Sequence, residues 1–302
     1  MAAFDQNYSI SVQIGTHTYV LSDSAPFELV SIANIGTSEA TRITERGPSQ
    51  DGDTDINYVL EPRTIDLILQ AQSTSLYPLE YNRALANKIF KASNVPIKLC
   101  ITFPSGAQRQ IDTHSLGRLE LPLTIGSLNY FKFGVTLRAA NPTWYDPATI
   151  AVNFGIAAGS SAFTVPTVIP TFFGGSILDQ TVPIAYAGTY RDYPIMLLYG
   201  PITNPIIRNL ATGDKISFQG YTIASGDYYV IDLRYGRKLV YRNGNIADNR
   251  IAETSQDSNL ATFALEPDPT VTDGLNSIRV TGSGVNGVTK LYFQYNNRYD
   301  GV

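Results

Sequence analysis

The sequence is poor in the residues that most often carry chemistry. Its 302 residues include one cysteine, two histidines, two methionines and one tryptophan. A single cysteine excludes an intrachain disulfide framework and a multi-cysteine zinc site, and two histidines leave little room for histidine-based catalysis. Charged residues make up only 16% of the chain, with a net charge of −4 and no run of Lys or Arg. A mildly acidic chain of this kind is a poor candidate for wrapping nucleic acid.

Membrane and export signals are also missing. No stretch of about 20 consecutive apolar residues occurs, so we expect no membrane insertion. The first residues lack a basic region followed by an apolar one, which a secretion signal requires. We therefore expect synthesis and folding in a cytoplasm, and the single cysteine agrees with that expectation.

The residues present in quantity favour a folded, mainly β protein. Hydrophobic residues make up 43% of the chain and aromatic residues 11%, including 19 Tyr and 13 Phe. This composition can bury a sizeable core and excludes a disordered chain. In the first half, apolar and polar residues alternate, which is typical of strands with one buried face. The predicted strands lie within residues 9–21, 27–33, 63–69, 97–103, 119–125 and 131–137.

One segment of the first half has a helical pattern. Pro78 suits the first helical position, and Ser93-Asn94 followed by Pro96 is a stop signal. The spacing predicts a helix over 78–92 that packs on the strands. Its apolar stripe comprises Leu79, Tyr81, Leu85, Ala86, Ile89 and Phe90. The first half is therefore predicted to be a β-sandwich with one packed helix.

The composition changes near residue 140, where we place the domain junction. The predicted domains are 1–142 and 143–302. Between Asp146 and Arg191 only Asp179 is charged, which indicates loops and short strands or a surface arm that packs on another chain. The rest of the second half shows short strands with turn signals every 8–12 residues, typical of an antiparallel sandwich or jelly roll. These strands lie at 195–199, 206–207, 216–218, 229–233, 239–241, 263–265, 278–280 and 291–295.

The histidines and the cysteine carry no catalytic pattern. His17 lies in a predicted hairpin turn and His114 in a predicted Thr-His-Ser loop, and neither has the spacing of a metal site. Cys100 shares a strand face with Lys98 and Thr102, not with the apolar stripe. A nucleophilic cysteine needs a base and an orienting group. We therefore interpret both histidines as surface residues and Cys100 as a structural thiol.

Two motif-like segments have simpler interpretations. Gly282-Ser283-Gly284-Val285-Asn286-Gly287 fits G-x-G-x-x-G, but strand-like residues follow it where a dinucleotide site needs a helix. It is predicted to be a glycine loop between two strands. The acidic segment 51–55 has alternating Asp residues, as calcium loops do, but Ile56 and Pro62 stand where an EF-hand needs Gly and Glu. A solvated loop is favoured there, with a weak cation site as the alternative.

A tyrosine-rich sandwich also suggests sugar binding. Tyrosine rings stack on the apolar faces of sugars, although tyrosine is an ordinary strand residue as well. The tyrosines of the second half include Tyr186, Tyr190, Tyr193, Tyr221, Tyr228, Tyr229, Tyr235 and Tyr241. Glycoside hydrolysis would need two convergent carboxylates, and no pair stands out in the sequence.

Short motifs in a fixed order give a resemblance that covers nearly the whole chain. They include Arg46-Gly47-Pro48-Ser49-Gln50-Asp51-Gly52, Leu60-Glu61-Pro62-Arg63-Thr64-Ile65, Ala140-Asn141-Pro142-Thr143-Trp144-Tyr145-Asp146-Pro147, Tyr186-Ala187-Gly188-Thr189-Tyr190-Arg191-Asp192-Tyr193-Pro194 and Gly200-Pro201-Ile202-Thr203-Asn204-Pro205. The set resembles the distal tail protein (Dit) family of long non-contractile-tailed bacteriophages.

The resemblance implies a fold and a task. The fold would be a tail-tube-like β-sandwich with one packed helix, followed by a galectin-like or jelly-roll β-sandwich whose final strand could return to the first domain. Six such chains would form a ring at the distal tail tip of the virion. The ring would join the tail tube to the baseplate hub and enclose the DNA exit channel. No enzymatic activity, cofactor or metal ion is implied, and DNA would pass through without sequence-specific binding.

The implied partners and interface residues follow from the same resemblance. The partners are further copies of the chain as a homo-hexamer, the tail tube protein, a tail hub or tail-associated lysin-like protein, the tape measure protein, and receptor-binding or side-fibre proteins. The candidate interface residues are Arg46, Gly47, Asp51, Gly52, Pro62, Arg63, Asn141, Pro142, Trp144 and Tyr145. A glycan-binding host-recognition module is the alternative function, and a hydrolase is a second, weaker one.

Overall fold

A computed structural model describes residues 8–21, 26–72, 76–117, 119, 121, 130–155 and 177–302. The chain forms two compact units. Unit 1 comprises Met1–Pro147 and Tyr299–Val302, and unit 2 comprises Ala148–Arg298. Strands dominate both units, which confirms the predicted mainly β fold class.

Unit 1 contains ten strands and the only α-helix among the described residues. The strands are β1 (Ser9–Ile14), β2 (His17–Leu21), β3 (Glu28–Ala33), β4 (Ala40–Glu45), β5 (Thr54–Leu60), β6 (Arg63–Gln72), β7 (Ile97–Thr102), β8 (Gln108–Ser115), β9 (Tyr130–Ala139) and β10 (Trp144–Tyr145). Seven of them pair in the order β2-β1-β7-β8-β9-β6-β3, with β10 beside β8. Within the described ranges, strands β4 and β5 pair only with each other.

Alternation along the strands of unit 1 produces its core. In β6, Ile65, Leu67 and Leu69 are buried while Thr64 and Asp66 are exposed. The neighbouring strand β9 buries its odd-numbered residues opposite them, in the register Leu67↔Val135. Strands with this alternation have one apolar face, and burying that face against the rest of the unit provides most of the driving force for folding.

Helix α1 (Leu76–Phe90) covers part of this core. It begins two residues before the predicted first position, Pro78, and ends two residues before the predicted last one. Leu79, Ala86, Ile89 and Phe90 are buried, as the apolar stripe predicts. Tyr81 was assigned to the same stripe, but its ring is exposed, so that assignment is wrong. No described helix is long and apolar enough to cross a bilayer.

Unit 2 is built from two antiparallel sheets. Its strands are β11 (Ile150–Gly155), β12 (Ile177–Ala185), β13 (Ile195–Tyr199), β14 (Ile202–Asn209), β15 (Lys215–Ser217), β16 (Thr222–Ile223), β17 (Tyr228–Asp232), β18 (Leu239–Arg242), β19 (Leu275–Ser283) and β20 (Lys290–Tyr295). One sheet has the order β11-β20-β13-β17-β18, and the other β12-β19-β14-β15 with β16 beside β14. A single buried cluster draws side chains from both sheets.

Several strands differ from the sequence prediction. Strands β4, β5, β8, β10, β11, β12 and β16 were not predicted, although β11 and β12 do alternate in burial. Phe263 and Leu265 were predicted to form a strand, but they lie in an irregular segment where Leu265 makes an isolated bridge to Asp192. Only residues 119 and 121 of the strand predicted at 119–125 are described, and neither is in a strand. Residues 156–176, part of the weakly charged segment between Asp146 and Arg191, also lie outside the described residues.

The boundary between the units falls later than the predicted 142/143 position. Trp144 is completely buried in the core cluster of unit 1, which keeps the chain in that unit as far as Pro147. Strand β20 belongs to a sheet of unit 2. The residues that return to unit 1 are the ones after β20. Strand β21 (Arg298–Tyr299) pairs with β10, and Tyr299–Val302 belong to unit 1.

Candidate assembly surface

The hairpin of β4 and β5, here called the arm, is the most exposed element of unit 1. Every residue of β4 is exposed, and so is every residue of β5 except its last. The arm nevertheless carries large apolar side chains, among them Ile43, Ile56, Tyr58 and Val59. Ile56 alone keeps 59% of its surface in contact with solvent. A paired strand ladder with exposed apolar side chains and free edges is a template for contact with another chain.

The loop between β4 and β5 is held in one conformation by its own hydrogen bonds. Arg46 Nε donates to the Gln50 carbonyl oxygen at 3.2 Å. The Gly47 amide donates to Gln50 Oε1 at 3.0 Å, and Gln50 Nε2 donates to Thr54 Oγ1 at 2.9 Å. Gly52 has a φ of +77°, which glycine adopts without a steric penalty. The predicted residues Arg46, Gly47 and Gly52 thus define the shape of this loop.

Arg63, unlike the exposed arm, is buried, and its side chain lies at the start of β6. The side chain is 3% exposed, and its guanidinium donates to backbone carbonyls from three parts of the chain. These acceptors are Asn34 O at 3.1 Å, Pro142 O at 3.0 Å, and the carbonyl oxygens of Gly36 and Asp300. The Ser38 hydroxyl accepts a further bond at 2.6 Å. Burial lowers the pKa of Arg63, the Asp300 carboxylate opposes the shift, and the group stays charged in a protein.

The motif at the domain junction, residues 141–145, also faces the interior of unit 1. Asn141 Oδ1 accepts hydrogen bonds from the Thr143 amide at 3.3 Å and from the Thr143 hydroxyl at 2.8 Å. Pro142 and Trp144 are buried, and the Tyr145 hydroxyl donates to Asp112 Oδ2 at 2.8 Å. The motif therefore fixes the path of the chain inside unit 1.

The predicted interface residues thus separate into two groups. The first group is turned inward: Pro142 accepts a hydrogen bond from Arg63, and Asn141 and Tyr145 are half-buried. Arg63, Pro142 and Trp144 are buried and not available as a surface. The second group lies in or next to the arm: Arg46, Asp51, Gly52 and Pro62 are exposed, and Gly47 is half-buried. An interface role for this second group stays a prediction.

The final residues of the chain complete the same region of unit 1. The Arg109 guanidinium lies 3.7 Å from the centre of the Tyr299 ring and donates to the Gly301 carbonyl oxygen at 2.8 Å. The Val302 amide donates to the Ile35 carbonyl oxygen at 3.1 Å. A Cβ on Gly301 would lie 2.8 Å from the backbone carbon of Gly36, so this position accepts only glycine without a shift. Sequence reasoning missed this contribution, because the partners are far apart along the chain.

The residues considered for catalysis lie in three strands of unit 1, and His17 is the first residue of β2 rather than part of the predicted turn. His17 and His114 are both exposed; His114 lies in strand β8 and not in the predicted loop, with its Nδ1 3.3 Å from the Ser93 carbonyl oxygen. Cys100 is partly buried on the face predicted for it, and burial raises the pKa of its thiol. A raised pKa disfavours the reactive thiolate.

The two motif-like segments lie in connections between strands and at the start of an exposed strand. The segment 282–287 connects the end of β19 to β20, as predicted, without a following helix. The acidic segment 51–55 belongs to the exposed loop and to the first residues of β5. Among the described residues, no three His, Cys, Asp or Glu side chains converge as metal ligands would.

Lys238 is an unusually placed cation in unit 2. Its Nζ is buried without a hydrogen-bond partner and lies 3.5 Å from the centre of the Tyr193 ring. The nearby carboxylate of Asp232 is engaged by Arg234 at 2.8 Å and by Arg237 at 3.5 Å. Burial lowers the pKa of Lys238 to about 8, against the attraction of Asp232.

We expect Lys238→Met to stabilise unit 2 at pH 7. A lysine whose pKa is lower in the folded than in the unfolded state costs stability below the folded pKa, and this cost disappears as the pH rises from about 8 to about 10.5. Because the side chain is partly exposed, we expect a gain of ~1 kcal/mol, or about 2–4 °C in the melting temperature. Calorimetry at pH 7 should show the gain, and calorimetry at pH 10 should show it reduced. Lys132→Met, at an exposed position of unit 1, is the control; an equal gain at both pH values would contradict the prediction.

The chain resembles solved structures in fold, whereas no family model and no curated protein sequence matches it. The crystal structure of SPP1 Dit, described as a paradigm of the hub adsorption apparatus in phages that infect Gram-positive bacteria, is similar with a TM-score of 0.61. The identity is 10%, over 96% of this chain and 98% of that one. A weaker likeness, with a TM-score of 0.48 and 14% identity over 98% of this chain and 99% of the other, is to a chain of the phage P2 baseplate in its activated conformation with Ca. This chain therefore has a Dit-like, mainly β fold, which confirms the predicted resemblance at the level of the fold.

Proposed function

We propose that the chain is a structural, non-enzymatic component of a phage tail tip. It would assemble as a hexameric ring that joins the distal tail tube to the baseplate hub and encloses the DNA exit channel. The observation that carries this proposal is the likeness to SPP1 Dit, which extends over nearly the full length of both chains. Its neighbours would be the tail tube protein, a hub or lysin-like protein, the tape measure protein and receptor-binding or side-fibre proteins.

The arm supports self-assembly on physical grounds. A ring requires head-to-tail interfaces, in which one surface of each copy contacts a different surface of the next. The arm offers exposed apolar side chains and unpaired strand edges, and its loop is already ordered by the Gln50 hydrogen bonds. An ordered element loses little conformational entropy on binding, which favours association. Burying one isoleucine fully contributes about 1.5–3 kcal/mol.

The ring can be tested with charged substitutions in the arm. We expect the purified full chain, alone or with its tube and hub partners, to form rings visible by negative-stain microscopy and light scattering. Ile43→Asp combined with Ile56→Asp should weaken assembly by at least ~100-fold, because two carboxylates would be buried without partners. Val288→Asp is the control, since Val288 is 57% exposed and lies in unit 2.

The ring and the role of the arm in it can fail separately. A protein that stays monomeric even with tube and hub proteins would contradict the ring. Rings that form equally well with the double substitution would leave the ring intact but remove the arm from its interface.

A further inference from the structure

A cluster of tyrosines lies on the solvent-facing side of the β11-β20-β13-β17-β18 sheet. Tyr199 in β13 pairs directly with Tyr228 in β17 on one side and with Lys290 in β20 on the other. Tyr292 stands two residues along β20, on the same face as Lys290. All four residues are partly exposed, whereas the alternate positions Leu198 and Leu291 are buried in the core. We call Tyr199, Tyr228, Tyr292 and Lys290 the tyrosine face.

The rings of this face pack against one another. Tyr199 and Tyr228 stack with centroids 4.9 Å apart and an angle of 23° between their planes. Tyr292 meets the Tyr199 ring edge-on at 5.7 Å. Such contacts stabilise each other and keep the rings in place before any ligand arrives.

The turn after β18 holds Tyr228 in position. The Tyr228 amide donates to Asn243 Oδ1 at 2.9 Å, and the Asn243 amide donates to the Tyr228 carbonyl oxygen at 2.9 Å. A Cβ on Gly244 would lie 3.1 Å from the Tyr228 hydroxyl oxygen, so the glycine leaves room for that hydroxyl. These contacts therefore fix the position of Tyr228 within the tyrosine face.

Lys290 gives the face a positive charge. Its Nζ lies 5.1 Å from the centre of the Tyr199 ring and 4.9 Å from that of Tyr292. Within the described part of the chain it forms no ion pair, and a hydrogen bond with Tyr292 raises its pKa. It thus stays charged over the whole physiological range.

We propose that the tyrosine face binds an anionic glycan. Aromatic rings accept the C–H faces of pyranose units, tyrosine hydroxyls bond to sugar hydroxyls, and an unpaired ammonium complements a carboxylate or phosphate group. A protein partner would bury this charge at a cost, whereas a solvated anionic sugar satisfies both the rings and the cation. The site lies within unit 2 and does not depend on the proposed ring, so its failure would leave that proposal untouched.

The test uses the full-length protein and three probes. These are galactotriose as a neutral sugar, trigalacturonic acid as its carboxylated counterpart, and a phosphorylated oligosaccharide, each titrated by calorimetry. We expect binding of one or both anionic probes and at least ~10-fold weaker binding of the neutral one. The two anionic probes distinguish a carboxylate ligand from a phosphate ligand. Raising NaCl from about 50 mM to about 300 mM should weaken binding by the wild type, since the charge is exposed.

Variants show whether the binding belongs to this face. Tyr199→Ala should weaken binding ~10-fold, a loss equal to about 1.4 kcal/mol, and Tyr199→Phe should retain most of it because the ring remains. Lys290→Gln should abolish the preference for anionic probes and the salt dependence together. Tyr235→Ala is the control, because Tyr235 is 60% exposed but lies outside the face, in the connection between β17 and β18.

Three results would overturn the proposal. These are no binding by the wild type, equal losses for Tyr199→Ala and Tyr235→Ala, and a change in oligomeric state with Tyr199→Ala when no glycan binds. The last result would make the face a contact between protein chains.

Discussion

Replacing Arg63 by methionine should strongly destabilise unit 1. The substitution keeps much of the side-chain volume but removes donors that serve the carbonyl oxygens of Asn34, Gly36, Pro142 and Asp300. Buried acceptors without donors cost about 1–3 kcal/mol each, and removal of one partner from a buried charged group costs about 3–5 kcal/mol. We therefore expect a loss of at least ~3 kcal/mol in the free energy of unfolding of unit 1.

The chain contains a convenient probe for this measurement. Trp144 is the only tryptophan and is buried in unit 1, so its fluorescence follows the unfolding of unit 1 alone. In urea, a loss of this size corresponds to a midpoint lower by at least ~1 M. Arg63→Lys should be intermediate, because an ammonium supplies fewer donors and no planar fork.

Arg138→Met provides the matched control for Arg63. Arg138 lies in the neighbouring strand β9, but its side chain is exposed. We expect a change within about 0.5 kcal/mol. If Arg63→Met unfolds at the same urea concentration as the wild type, the buried hydrogen bonds of this guanidinium do not stabilise unit 1 as we predict.

The second large effect is expected in unit 2, from Asp192→Ala. Asp192 is buried, its Oδ1 accepts a hydrogen bond from Arg298 Nε at 2.5 Å, and its Oδ2 accepts one from the Asn296 amide at 3.0 Å. Its backbone exchanges two hydrogen bonds with Leu265. Removing the carboxylate leaves the mostly buried Arg298 charge without this partner, which costs about 3–5 kcal/mol.

Hydrogen exchange is the appropriate measurement for Asp192, because unit 2 has no tryptophan. Amides of β13, β17 and β20 should exchange ~100-fold faster or more in Asp192→Ala, while those of β6 and β9 keep their rates. Asp179→Ala is the control. Its ion pair with Arg279 is about half exposed, and such surface pairs contribute about 0–1 kcal/mol. Equal increases in the exchange rates for Asp192→Ala and Asp179→Ala would contradict the prediction that the buried carboxylate stabilises unit 2 more than the exposed one.

The sequence predicted the elements whose burial is regular. Alternation indicated β6, β7, β9, β13, β17 and β20, and the apolar stripe indicated α1 to within two residues at each end. The arm was not predicted, although Ile56, Tyr58 and Leu60 of β5 alternate with Asp55 and Asn57; unlike the predicted strands, it is exposed on both faces. The sheet topology also could not be predicted, because pairings such as β6 with β3 and β9 join distant segments.

The candidate residues were recognised as a set, but their locations were only partly predictable. Arg63 and Trp144 were grouped with exposed loop residues although both are buried. One signal was available for Arg63, since alternation along β6 places it on the same face as Ile65 and Leu67. Its partner Asp300 stands 237 positions away, and no local pattern connects two such residues. The tyrosine face likewise depends on cross-strand register, which the sequence does not display.

The return of Tyr299–Val302 to unit 1 has a consequence for the order of events during translation. The whole of unit 2 is synthesised before the ribosome adds Asp300 and Gly301, which serve Arg63 and Arg109. Nascent domains generally fold from the N-terminus onward, but here the unit that emerges first is completed last. A truncated chain would lack these contacts and present an unfinished unit 1. An assembly built on unit 1 would thereby select for chains that have been translated through residue 301.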